Sequence, residues 1–433
     1  MVSIDSRLKR TLAAWSLSLV GAVAPLNVPA QSSLEPVSKG DLQDQLTERI
    51  AATEASFGPY SPQLIEAWTD LAQYYRKQGV HALEAAAITQ AAQISRATYG
   101  LHSLEQVPLL QQLLRSHEEL GDAVGVWDLE RELMDLAQKH PHDSRTAAIW
   151  TGIADRRMAV LARYLSGEKP PELVLGCFYG GPSCTSGSRG AAIAGMFEDA
   201  QSKYENAVRE LVRETPSQQH INELRAVDSK IVASSYRYRE HIGGYPAGAR
   251  ALQRLYAYDQ ISGEPAATKA AALVQIADWN ILFAANTDKT GWSPTDERPT
   301  KALAAYEQAY AFLQQDGAPH AQFEELFGPA VPIVVPEFAP NPLMEQGEEG
   351  STGFVDVAFD ISKYGRSLDI RVLDSTSNAS RAARNRLARL IASSRFRPQL
   401  INGRFDTAHV VVRYYVYEPP ITTALNFPNV HSD

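Results

Sequence analysis

Between residues 57 and 139 the chain returns on itself with an offset of 42. Phe57-Gly-Pro-Tyr-Ser61 comes back as Tyr99-Gly-Leu-His-Ser103, Leu71 as Leu113, Gly79 as Gly121, and Ile94 as Leu136. A unit of this length cannot bury its own apolar face, so copies must stack and each supplies part of its neighbour's core. Each unit reads as two helices. Pro62 to Gln78 carries Leu64, Ile65, Trp68, Leu71, Ala72 and Tyr75 at helical spacing, Gly79 breaks it, and His81 to Ala97 forms the second helix.

These paired helices resemble the longer tetratricopeptide repeats, a resemblance that implies a solenoid with a concave surface. A divergent unit follows near residue 266: Ala267 to Ala284, the long loop Asn286 to Pro299, and Lys301-Ala-Leu-Ala-Ala-Tyr-Glu-Gln-Ala-Tyr310, which matches the small and aromatic positions of a second repeat helix. Residues 191–260 read as helical without a clear period. The expected organisation is therefore repeats over 31–165, a helical region with the divergent unit over 166–328, a Pro-rich linker over 329–350, and a different kind of unit over 351–420. The linker prolines, Pro329 to Pro342, predict an extended stretch reaching some 40 Å in polyproline geometry.

In that last unit the period changes from helical to two. Val355, Val357, Phe359 and Ile361 alternate along one strand, Leu368, Ile370 and Val372 along the next, and Gly365 sits in the reversal between them. A helix follows, with Ser375, Ser377 or Asn378 as its cap and Ala379, Ala382, Ala383, Leu387, Leu390 and Ile391 as its stripe. It should end near Ser394, because Pro398 biases Arg397 toward extended backbone. Arg381, Arg384 and Arg389 fall off the stripe and Arg386 on its edge. The order strand, strand, helix, strand, with Gly353-x-Val-x-Val-x-Phe-x-Ile361, Arg395-Phe-Arg-Pro398 and Asn402-Gly403, resembles the C-terminal domain of TonB-type energy transducers over about 65 of 433 residues. The fold class expected is mainly α with a C-terminal α+β unit.

The TonB resemblance implies that a partner segment adds to the sheet as a further strand, with Arg397, Val410, Val412, Tyr414 and Tyr415 as candidate partner-binding residues. Ala408 to Tyr417 has large side chains at both parities, so a wholly buried strand is the alternative.

Arg7, Lys9 and Arg10, the apolar run Thr11 to Ala24, and Val28-Pro-Ala30 read as a secretory signal peptide over 1–30, with cleavage before Gln31. The run is shorter than the roughly 20 residues that span a bilayer, and an uncleaved anchor, which would restore full transducer function, is the other reading. Export, and hence a periplasmic location, makes a disulfide between Cys177 and Cys184 the expected state of the Cys177-Phe-Tyr-Gly-Gly-Pro-Ser-Cys184 loop.

Loss of the leader moves the formal charge from −9 to −11. With no Lys/Arg-aromatic stripe, nucleic acid is a poor partner. No metalloprotease, phosphate-loop, dinucleotide or nucleophile-elbow motif is present. His140-Pro-His142-Asp143 reads as a polar turn rather than a metal site, and Trp68, Tyr74, Tyr75, Trp127, Trp150, Tyr236, Tyr238, Tyr256, Tyr258 and Trp279 as inter-helix core rather than a groove. Hence no catalytic, cofactor or metal residue is assigned. The expectation is an exported, non-enzymatic protein that binds protein partners, at the outer membrane or in the periplasm, without inserting stably in a membrane. The rival is an enzyme with a site near Cys177–Cys184 or Gly243–Gly248.

Overall fold

The computed structural model describes residues 39–168, 189–212, 217–239, 243–284, 296–328, 333, 353–376 and 381–416. The protein is mostly helical, with a small antiparallel sheet near its C-terminus. The leader, Cys177, Cys184, and the helix-cap candidates Ser377 and Asn378 lie outside the described residues.

The helices are α1 (Lys39–Phe57), α2 (Gln63–Lys77), α3 (His81–Tyr99), α4 (Val107–Glu119), α5 (Ala123–Lys139), α6 (Arg145–Leu165), α7 (Arg189–Val212), α8 (Gln218–Arg237), α9 (Tyr245–Ile261), α10 (Ala266–Phe283), α11 (Arg298–Gln315) and α12 (His320–Phe327). From α1 to α11 each helix packs principally on the one before it and the one after it. Gly79 and Gly121 end α2 and α4 in the same way: both adopt left-handed backbone, with φ of 72° and 69°, where a Cβ would strain the chain. The loops carry a matched bond as well. Thr98 Oγ1 donates to the Tyr60 carbonyl at 3.1 Å, and the His140 ring reaches the His102 carbonyl. Both donors and both acceptors are 42 residues apart, the sequence offset.

One apolar core runs from Ala72 in α2 to Trp279 in α10 without interruption. Burying side chains such as Leu110, Leu114, Leu133 and Ile153, each fully enclosed, contributes about 1.5–3 kcal/mol apiece. Among the described residues no helix is long and apolar enough to cross a membrane.

The sheet consists of β1 (Gly353–Ile361), β2 (Ser367–Ser375) and β5 (Ala408–Val416) in the order β2-β1-β5. Between β2 and β5 come α13 (Arg381–Ser393) and a two-stranded hairpin, β3 (Gln399–Ile401) and β4 (Arg404–Asp406). Helix α13 lays Leu387 and Ile391 against Val355, Val357, Phe359 and Ile361, with Phe396 closing the end.

Two features differ from the sequence expectation. Leu368 and Val372 do not share a buried face: they are 47% and 44% exposed. Asp369 takes left-handed backbone (φ 47°), and β2 slips register against β1 twice, so the alternation is broken along the strand. The second is the β3–β4 hairpin, which interrupts the strand-strand-helix-strand order. Asn402 and Gly403, with φ of 52° and 75°, form its two-residue turn, the conformation that Asn-Gly adopts most readily.

Candidate functional site

Strand β1 is central and pairs with β5 through nine consecutive positions, Gly353↔Val416 to Ile361↔Ala408, with no register shift. The main chain of Phe354 bonds Thr376 on the β2 side. Alternation along β1 therefore sends the N–H and C=O of Val355, Val357 and Phe359 toward β5, where they meet Tyr414, Val412 and Val410. The intervening residues of β5, His409, Val411, Arg413 and Tyr415, turn their main-chain groups outward. Among the described residues β5 is the end of the sheet. The other end, β2, carries two bulges, a feature that blocks pairing with a further strand.

The side chains of β5 divide accordingly. Val410, Val412 and Tyr414 are half-buried against the α13-covered core. Val411 on the opposite face is 66% exposed, which removes the wholly buried strand as a reading. That outer face is held by cross-strand polar pairs. Arg413 donates twice to Asp356 at 2.8 Å and stacks its guanidinium 3.9 Å above Phe354. His409 Nδ1 lies 2.6 Å from Asp360. The hydrogen bonds from Arg413 hold the Asp356 carboxyl below the usual carboxylate range. Both pairs join residues directly opposite in the ladder, so they fasten β5 to β1; among the described residues no strand pairs with its other edge.

Arg397, grouped with β5 on sequence, is placed elsewhere. Its guanidinium donates to both oxygens of Asp278 in α10, at 3.2 and 2.7 Å, and to the Leu326 carbonyl at the end of α12 at 3.2 Å. The Tyr306 hydroxyl of α11 donates to the same Asp278 at 2.5 Å. Burial, and then the Asp278 charge, push the Tyr306 phenol far above its ordinary value, so it stays a donor. Around this polar knot Leu400 of β3 is buried with Ala277, Ile281 and Ala302, and Phe405 of β4 meets Tyr306 edge-on with ring centroids 6.4 Å apart. Ile333, inside the stretch expected as a linker, is buried in the same cluster and donates its N–H to the Arg395 carbonyl at 2.7 Å. The sheet unit is thus seated on α10–α12.

The remaining sequence candidates have structural surroundings. The Gly243–Gly248 segment opens α9, and a Cβ on Gly248 would enter the Trp279 ring. Trp150, Tyr238, Tyr258 and Trp279 are buried, and Trp68, Tyr75 and Tyr236 pack on the main core. His142 donates its backbone N–H to Glu210 at 2.8 Å, and Asp143 pairs with Arg145 at 2.8 Å. Among the described residues no three His, Cys, Asp or Glu side chains are grouped to hold a metal. A cleft of about 380 Å³ between α5 and α6 has Val126, Trp127 and Val160 as walls and Glu130 and Arg156 joined across it at 3.0 Å. No protein-family model matches the chain, and no curated protein matches it at a significant level.

Proposed function

We propose that this chain is an exported, periplasmic protein-binding scaffold without enzymatic activity. In this reading a tetratricopeptide-like helical array carries a TonB-like C-terminal unit that captures an extended segment of a partner protein along β5. The carrying observation is the contrast between the two sheet edges: β5 is regular over nine residues and, among the described residues, has no strand on its outer side, whereas β2 is bulged twice. Main-chain groups of residues 409, 411, 413 and 415 offer the ladder, each bond worth about 0.5–1.5 kcal/mol net, and Val410, Val412 and Tyr414 extend an apolar strip for alternate side chains of the added strand. The repeat reading rests on the sequential packing of α1 to α11 and on the matched glycines and loop bonds.

The test is a photo-crosslinker placed at Val411 in cells that export the protein. Crosslinking to one defined partner, lost when Arg413 is replaced by Pro, supports strand capture. Absence of any crosslinked protein, or crosslinks indifferent to Pro at 413, refutes it.

A further inference from the structure

The C-terminal unit is a basic body in an acidic chain. Residues 353–416 carry ten arginines and one lysine against five aspartates and no glutamate, a formal charge of +6 where the whole chain has −9. Four of these arginines, Arg381, Arg384, Arg386 and Arg389, sit on α13, which has no acidic residue.

Leu387 and Ile391 face the sheet, so on a helix of 3.6 residues per turn Arg389 and Asn385 fall on the opposite side and Arg381 and Arg386 on its two flanks. All four are exposed, as are Ala392 and Ser393 at the end of the same face. Arg397 and Arg413 elsewhere in the unit are each matched to an aspartate. The α13 arginines make no ion pair among the described residues. Beside them, on the strand that α13 packs against, Val372 and Leu373 are 44% and 58% exposed.

We propose that this face binds an anionic phospholipid surface. Among the described residues this face shows exposed guanidinium groups and small side chains, with no large apolar residue to anchor a protein partner. Phosphate headgroups match such a face, each arginine able to meet a phosphate through two donors. The apolar stripe of α13 stays committed to the sheet, so the contact is peripheral and salt-sensitive rather than inserted. It uses a different face from the β5 edge and stands whether or not that edge captures a partner.

Each guanidinium at an anionic surface is worth about fivefold in affinity, so Arg381→Gln, Arg386→Gln and Arg389→Gln together should weaken binding about a hundredfold. The experiment is co-sedimentation of the full chain with vesicles containing phosphatidylglycerol, beside vesicles of phosphatidylcholine alone, at low and high salt. The expected result is binding only to the anionic vesicles, lost at high salt and in the triple variant. A control triple on the helical body, Arg76→Gln, Lys77→Gln and Arg115→Gln, makes the same charge change and should leave binding intact. Equal loss in the control, equal binding to both vesicles, or no vesicle binding overturns the assignment. Binding to soluble polyglutamate without binding to vesicles also overturns it, in favour of an acidic protein partner.

Discussion

Replacing Asp278 by Ala should unseat the C-terminal unit, and the size of the effect follows from the surroundings of Arg397. The two side chains are 9% and 20% exposed and meet at 2.7 Å. Removing one member of a buried ion pair typically costs 3–5 kcal/mol, because the survivor is left charged and unpaired. Arg397 retains the Leu326 carbonyl and some solvent, which puts Asp278→Ala near the lower limit, at about 3 kcal/mol. Arg397→Met leaves the more buried Asp278 with only the Tyr306 hydroxyl and should also cost about 3 kcal/mol. The double variant has no orphaned charge, so its loss should fall at least about 1.5 kcal/mol short of the sum. Denaturant unfolding of the four proteins gives the cycle. Hydrogen exchange should show lost protection in β3–β4 and α10, with α2 to α5 unchanged. A coupling energy under about 0.5 kcal/mol, within ordinary non-additivity, would refute the reasoning.

Val412→Pro removes a ladder bond to β1 and should lower thermal stability by several degrees, whereas Val411→Pro removes an outward N–H and should abolish partner capture at small stability cost; equal melts would overturn the parity assigned to β5. Gly79→Ala and Gly121→Ala each force a side chain into left-handed backbone and should cost about 1–2 kcal/mol, additively, by denaturant unfolding. Asp356 is held low in the folded protein, so its contribution is full above the ordinary carboxylate range and is lost as pH falls through the depressed value; acid titration should release β5 in the wild type, with a flatter profile in Asp356→Asn. Peptide mapping without reductant should find Cys177 linked to Cys184, and Edman sequencing of the exported chain should begin at Gln31.

What the sequence made legible was local or periodic. The breaks after α2 and α4 are readable because each needs a residue that tolerates left-handed backbone, and glycine marks it at 79 and 121. Strand β1 is readable because one face is wholly buried. Strand β2 misleads because its bulge uses Asp369 rather than glycine, so nothing in the composition announces the break. Asn402-Gly403 is the strongest short hairpin signal in the chain, yet its flanks are three residues each, too short for alternation to register. The role of Arg397 was beyond reach. Its partner Asp278 lies 119 residues away, and an Asp in a helix beside an Arg-Pro loop has no local pattern to betray it.

The seam through β3–β4 also fixes how load would travel. A segment paired along β5 and pulled along its own direction strains the whole row of ladder bonds together rather than one after another. The tension then passes from β5 through β1 to a body riveted at Leu400, Phe405 and Arg397, and so into α10 and α11. A sheet swinging on a proline tether would swivel under the same pull; this one acts as the short arm of a lever whose long arm is the helical array.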